Sequence, residues 1–315
     1  MLPFLIIFIP IIGGLVVYIA NMSDRVRDGF VLAVTALTGL LGLSLYSYLQ
    51  DTGVVLLEYS KILHPFGVSF RIDWLSAVLV AIACSIWLLV TIYSFDYAKT
   101  MHNVKRYHTF TLITFGATLG TLLAGDLLTL FLFFELMSFA SYVLVIQEGD
   151  AKALRAGFLY LIMTIGGGLA LLFGILGVYT ITGTVAFTAG GFLASNSTLS
   201  LVSFIGFLIG FGVKAGMFPL HVWLPEAHPV APSPSSALLS GIMLKIGAFG
   251  LLRVIFNIYE FHFLREAGWI NMLLVGAVLT ILLGSVFAIM QTNLKRRLAY
   301  SSVAQMGYIL LGMAL

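Results

Sequence analysis

Charged side chains are scarce in this chain, making up 9% of its 315 residues against about 25% in an average soluble domain. With 60% of the residues apolar and a mean hydropathy of +1.08, an aqueous fold would expose a large hydrocarbon surface, which excludes soluble, disordered and fibrous classes. Cysteine occurs once, at Cys84, so the chain holds neither an internal disulfide framework nor a thiolate metal cluster. A net charge of +3, scattered along the sequence, gives no footprint for nucleic acid. Nucleotide loops, dinucleotide fingerprints, haem-attachment motifs and nucleophile elbows are also missing from any workable context. ATP hydrolysis or other chemistry by this chain alone is therefore not expected, and no cofactor is expected to bind it.

What is present is a series of long apolar runs. A helix needs about 20 mostly apolar residues to cross a bilayer core, and ten such runs are found, at about 3–20, 30–49, 74–95, 108–125, 126–146, 156–181, 199–218, 236–256, 268–290 and 298–315. The alternating ten-residue segments of a closed β-barrel are not seen. The expected fold is all-α and polytopic. Residues 1–20 lack a basic start and a small-residue cleavage site, so they read as a first span and not as a removable signal.

Lysine and arginine near span ends are retained on the cytoplasmic side. With the N-terminus outside, the cytoplasmic side carries Arg25, Arg27, Lys99, Lys105, Arg106, Lys152, Arg155, Lys295, Arg296 and Arg297, and the external loops carry Lys61, Arg71, Arg253 and Arg265. That asymmetry predicts a cytoplasmic-membrane protein with its N-terminus outside. Trp74 and Trp269 fall at the outer span ends, where headgroup-seeking rings are favoured.

The remaining two basic residues, Lys214 and Lys245, lie inside spans, as does Glu135. An ionisable group at mid-membrane costs about 2.5–3.5 kcal/mol on insertion scales, so such groups face a bundle interior or a wet cavity. A static Glu135–Lys214 pair fixing helix register is one reading, but it leaves Lys245 unexplained. The other is a proton relay. Burial disfavours the charged form of acid and amine alike, so the two can exchange protons near neutral pH. At about 6 Å and an effective dielectric near 20 they interact by about 2.8 kcal/mol, enough for a movement of Glu135 to decide whether Lys214 keeps its proton. Lys245 on the next helix then receives it. Asp126, between two abutting runs, reads as a short external turn.

Five of the eight prolines crowd into FPLHVWLPEAHPVAPSPSS, at Pro219, Pro225, Pro229, Pro232 and Pro234. Each removes a donor and obstructs a continuing helix, and an interrupted helix is the best sequence pointer to a transporter's site. The expected form is a helix stopping near Phe218, an extended stretch, and a short resumption from His221 to Ala227. His221, Glu226 and His228 do not match zinc-helix spacing, so no metal is expected. His221 and His228 read as candidate proton-access groups at the cytoplasmic mouth, His228 the better placed. His102 and His108 read as solvated, and His64 and His262 as external. Gly166, Gly167, Gly168, Gly206, Gly210, Gly212 and Gly216 read as helix-packing surfaces.

Three blocks, GDLLTLFLFFELMSFASYVLV, GFGVKAGMFPLHVWLPEAHPVAPSPSSALLSGIMLKIGAFGLLR and NLKRRLAYSSVAQMGYI, together with FRIDWLSA, resemble the antiporter-like proton-translocating membrane subunits. That family serves NADH-quinone oxidoreductase, energy-converting membrane hydrogenases and multisubunit sodium/proton antiporters. The resemblance implies that Glu135 is the fifth-helix glutamate, Lys214 the lysine of a broken seventh helix, and Lys245 the eighth-helix lysine passing protons toward mid-membrane. It implies N-terminal helices 1–3 over 1–107 and a five-helix translocation repeat over 108–256, with the break around 199–227. Residues 257–315 would begin a second repeat that stops within a tenth helix at Leu315, its missing half supplied by another chain or lost.

Phe134 stands where many quinone-oxidoreductase relatives carry tryptophan, which is similar to the cation-antiporter branch. WLPEAHPVAPSPSSALLSGIMLK is more similar to the hydrogenase and quinone-oxidoreductase branches. The longer block favours a non-catalytic, ion-translocating subunit of a redox-driven complex. Implied partners are the lipid bilayer, other antiporter-like and small membrane subunits, and hydrophilic redox subunits that hold iron–sulfur clusters. The alternatives are a subunit of a sodium/proton antiporter without redox coupling, and a structural anchor without transport.

Overall fold

The computed structural model describes residues 1–59 and 67–315; the readings of Lys61 and His64 lie outside the described residues. In chain order the elements are α1 (Leu2–Ile19), α2 (Asp24–Thr52), β1 (Val55–Tyr59), β2 (Val68–Ile72), α3 (Trp74–Ala98), α4 (Val104–Leu122), α5 (Leu127–Val145) and α6 (Ala151–Thr182). They continue with α7 (Thr198–Ala215), a 3-10 turn (Leu220–Trp223), α8 (Leu224–Val230), α9 (Ser233–Leu238), a π turn (Leu239–Met243), α10 (Leu244–Asn257), α11 (Phe261–Glu266), α12 (Ile270–Ile289) and α13 (Leu294–Ala314).

Among the described residues, eight helical segments are long and apolar enough to cross a membrane. Two of them run through interruptions, Thr198–Val230 and Ser233–Asn257. The spans expected at 108–125 and 298–315 form as α4 and α13 but are more polar. α4 opens with Lys105, Arg106 and His108 and carries five threonines; Thr114, Thr118 and Thr121 donate to carbonyls of their own helix, which satisfies those hydroxyls inside the element. α13 opens with Lys295, Arg296 and Arg297. The β1–β2 antiparallel hairpin, Val55 opposite Ile72, is an extended element in an otherwise helical fold.

The chain divides into two compact units. One comprises Met1–Gly125, Leu132–Gly157 and Ala231–Ile242. In it α1 lies antiparallel on α4 at backbone distance: a Cβ on Gly14 would meet the Thr109 carbonyl at 2.8 Å, and one on Gly116 the Ile7 carbonyl at 2.5 Å. Trp87 stacks on Phe115 with ring centroids 4.9 Å apart and donates to the Thr111 carbonyl at 3.3 Å. His108, expected to be solvated, is buried beside Phe95 and Tyr107, with Nε2 3.6 Å from an Asp28 oxygen. Its position one turn into α4 turns it inward, whereas His102 in the preceding loop is exposed.

Arg71 is not an external-loop charge. It is buried and paired through Nε to Asp73 at 2.9 Å. Asp73 in turn caps α3, accepting from the Ser76 amide at 2.9 Å while Ser76 Oγ accepts from the Asp73 amide, a reciprocal capping box. Asp73→Ala removes both the cap and an ion-pair partner of a buried guanidinium, and is expected to lower the unfolding free energy by about 3 kcal/mol. Thermal unfolding of the purified protein in detergent measures this, and an unchanged midpoint would contradict it.

The second unit comprises Asp126–Phe131, Phe158–Val230 and Met243–Leu315. α6 and α7 run antiparallel and touch through small residues: a Cβ on Gly206 would lie 2.6 Å from the Ala170 carbonyl, and one on Gly210 2.8 Å from the Gly167 carbonyl. Not every glycine of that series packs. Gly166 faces open space, and Gly216 takes φ +70° where α7 ends, a conformation that suits residues without a Cβ. Asp126 is not an external turn residue either. It is buried and starts α5, accepting from the Thr129 amide at 2.7 Å and the Thr129 hydroxyl at 2.6 Å. Arg253, expected in an external loop, is buried on α10, with its guanidinium over Phe249 and Phe187 at 4.9 and 5.7 Å and a bond to Asn257. Trp269 is not a headgroup anchor but packs among Phe204, Tyr259 and Phe263. Trp74, by contrast, is exposed at the start of α3.

Candidate functional site

The interruption after α7 determines where its charge sits. α7 begins at Ser197, whose hydroxyl accepts from the Ser200 amide, and closes at Gly216, with the Met217 amide bonded back to the Gly212 carbonyl at 2.9 Å. Lys214 therefore occupies the last turn of α7, at the negative end of the helix dipole, where a cation is favoured. It is 1% exposed. Its Nζ donates to the Tyr160 hydroxyl at 2.7 Å and lies 5.2 Å from that ring's centroid.

Tyr160 comes from α6 and is itself fully buried. Its ring meets Trp223 edge-on, centroids 4.9 Å apart, and Trp223 Nε1 donates to the Val213 carbonyl at 2.7 Å. The chain therefore turns back after the break and places Trp223 against the end of the helix it has just left. Lysine, tyrosine, tryptophan and the Val213 carbonyl form one connected set around the break. Tyr160 and Trp223 are site residues that span counting does not find. Their only sequence signal is a hydroxyl and an indole N–H inside apolar runs, where each needs a partner.

The break is tighter than the expected extended stretch. Helical backbone stops at Ala215, a 3-10 turn covers Leu220–Trp223, and α8 runs Leu224–Val230 with Pro225 near its start and Pro229 inside it. The Phe218–Pro219 peptide is cis. The freed Phe218 amide donates to Thr280 Oγ1 of α12 at 2.9 Å, and Thr280 donates onward to the Gly276 carbonyl at 2.6 Å. Irregular backbone at membrane depth is thus satisfied by a neighbouring helix, as lipid surroundings require. Pro232 and Pro234 stand at the start of α9, where a missing amide costs nothing.

Lys245 follows the π turn Leu239–Met243 and lies in the first turn of α10, partly buried. A π turn inside a span often marks a functional position. α10 meets α7 beside both lysines: a Cβ on Gly247 would fall 2.5 Å from the Ala215 amide nitrogen and 2.7 Å from the Phe211 carbonyl. The lysine-bearing helices therefore touch backbone to backbone, one residue from Lys214 and two from Lys245.

His221 lies in the 3-10 turn, buried, with its ring facing Phe218, Phe287 and Tyr300 at centroid distances of 5.5, 6.5 and 6.0 Å. Its Nδ1 has no hydrogen-bond partner among the described residues. His228 is buried in α8, and Glu226 pairs with Arg296 of α13, tying the resumed segment to that helix. Glu135 belongs to the other unit. It is carried by α5, partly buried, with Oε1 enclosed.

The transmembrane profile described as NADH:quinone oxidoreductase/Mrp antiporter matches residues 124–315. A Staphylococcus aureus (strain MRSA252) protein assigned as the antiporter component mnhD2 is 30% identical over 312 residues, 97% of this chain and 61% of that protein. A Na(+)/H(+) antiporter component of Alkalihalophilus pseudofirmus is 28% identical over 323 residues, covering 100% of this chain and 63% of that protein. Among solved structures, the Mrp complex from Dietzia sp. DQ12-45-1b contains a chain similar with a TM-score of 0.85 at 25% identity, over 99% of this chain and 59% of that one. A chain of the membrane-bound sulfane sulfur reductase, an archaeal respiratory membrane complex, shares the fold with a TM-score of 0.89 at 24% identity, over 99% of this chain and 64% of that one. The chain spans about three fifths of the length of the relatives it matches.

Proposed function

Because this chain belongs to the NADH:quinone oxidoreductase/Mrp antiporter transmembrane family, and is thus a multi-pass, antiporter-like membrane subunit, we propose that it moves protons within a multisubunit cation/proton antiporter. Glu135, Lys214 and Lys245 are its proton-carrying groups. Lys214 holds a proton at the end of α7, and Lys245 receives it across the α7–α10 contact. His221 and His228 give the proton access from the cytoplasmic side, in a cytoplasmic membrane with the N-terminus outside.

The observation that carries this reading is the buried Lys214 ammonium at an interrupted helix, bonded to the Tyr160 hydroxyl at 2.7 Å. A tyrosine hydroxyl can accept from an ammonium or donate to a neutral amine, so it holds the Lys214 side chain in place in either protonation state. A buried imidazole nitrogen without a partner among the described residues, as at His221, is a group that a file of ordered water would satisfy.

Redox-driven pumping is the second reading, with iron–sulfur clusters and hydrophilic subunits in partner chains. It rests on the likeness of the 223–245 block to the hydrogenase and quinone-oxidoreductase branches. Two relatives named as antiporter components, at 28–30% identity over nearly the whole chain, weigh more, and they favour exchange driven by ion gradients. The test is an everted-vesicle assay on the complex assembled with its natural partners. Sodium added to vesicles holding a pH gradient is expected to dissipate that gradient with no electron donor present. Dissipation that depends on an electron donor would replace this reading with the redox-driven one, and no ion movement in either condition would leave only the structural anchor.

A further inference from the structure

Away from the lysines, the first unit carries a groove of about 730 Å3 where the end of α1 meets the start of α4. Leu15 and Ile113 line its apolar wall, and Lys105 and Arg106 stand at its other end with no acidic residue in the lining. We propose that this groove binds one anionic phospholipid, with the phosphate at the first turn of α4 and an acyl chain lying along α1.

Three observations support it. Lys105 makes no ion pair among the described residues and is only partly buried, so its charge is available. The first turn of α4 is uncapped: Asn103 sits at φ 53° and its side chain makes no cap bond, leaving the leading amides to an outside acceptor. Finally, the site is prebuilt. Arg106 donates to the Gln147 carbonyl at 2.7 Å and to its side-chain oxygen at 3.2 Å, while the Gln147 amide donates to the His102 and Asn103 carbonyls at 2.7 and 3.2 Å. That clamp holds the loop before α4 in place and leaves Lys105 as the adaptable cation.

Depth and charge select a lipid. From Lys105 to Ile113 the helix rises about 12 Å, which reaches from the headgroup layer into hydrocarbon. Leu15 and Tyr18 on α1 are 47% and 62% exposed, an amphipathic pair suited to that boundary. The same end of the helices lies beside Arg25 and Arg27, at the start of α2, on the side where retained basic residues predict the anionic leaflet.

The test is native mass spectrometry of the full-length protein in detergent, titrated with phosphatidylglycerol, phosphatidylcholine or inorganic phosphate. One phosphatidylglycerol is expected to be retained in preference to phosphatidylcholine. Lys105→Ala should weaken that binding about fivefold and Lys105→Glu about 25-fold, the worth of one and two charge units near an anionic surface. Leu15→Asn should weaken it as well without changing the preference for the anionic headgroup. Lys105 makes no ion pair among the described residues, so its variants are expected to fold, and unchanged circular dichroism checks this. Equal retention of the two lipids, or a preference that survives Lys105→Glu, would overturn the proposal. Inorganic phosphate bound as well as phosphatidylglycerol would reduce the site to a phosphate site and overturn it too. Failure to retain any lipid would do the same, the result expected if a neighbouring subunit covers the groove.

Discussion

Lys214→Met in the assembled complex is expected to cut sodium-driven proton exchange by at least about 100-fold, the loss that follows when a positioned proton carrier is removed. Methionine has similar length and no charge, so it keeps the side-chain volume while removing the proton carrier. Loss of exchange is read in complexes shown by size-exclusion chromatography to have assembled. Lys214→Arg tests the same point differently, since a guanidinium keeps the charge but does not release its proton in the working range, and it is expected to be as inactive as methionine. Tyr160→Phe removes the hydrogen bond to that ammonium, worth about 1.5–3 kcal/mol, and should slow exchange by more than about tenfold. Full transport with Lys214→Met would end the proposal that ions pass through this chain, because the relay has no other proton carrier on α7.

The second large effect involves no titratable group. Gly247→Ala places a methyl 2.5 Å from the Ala215 amide nitrogen, 2.7 Å from the Phe211 carbonyl and 3.0 Å from the Ala215 Cα. All three are backbone atoms, so no side-chain rotation relieves the overlap and α7 must separate from α10. The expected cost is about 3 kcal/mol, seen as a lower melting midpoint, together with loss of exchange because the two lysine-bearing turns move apart. Gly166→Ala is the control. A Cβ there meets nothing within 4 Å, and alanine is the better helix former, so stability and transport should hold. Equal tolerance of both substitutions would show that the α7–α10 contact does not position the lysines.

How legible the site was varies residue by residue. Lys214, Lys245 and Glu135 stand out in sequence because charge inside an apolar run is costly, and the proline cluster beside them marks the break for the same kind of reason, since each ring withholds an amide. Tyr160 left no comparable trace. A tyrosine inside an apolar helix is ordinary, and only the turn that brings α6 against the end of α7 makes its hydroxyl the partner of Lys214. From sequence Asp126, Arg71, Arg253 and His108 are expected to face outward, because a polar residue near a run boundary is usually solvated. Each instead has a specific inward contact: a helix cap, an ion pair, two aromatic faces, a neighbouring carboxylate.

Composition and periodicity alone established a helical membrane protein, with its approximate spans and three charges that lipid would not accept. Those conclusions depend on transfer free energies, which belong to each residue and its immediate neighbours in the chain. The tertiary structure decided which polar groups are partnered, how the helix break closes on itself through Trp223 and Thr280, and that α7 and α10 meet at Gly247. Such matters depend on distances between residues far apart in sequence, where a few tenths of an ångström separate a hydrogen bond or a close packing contact from a clash.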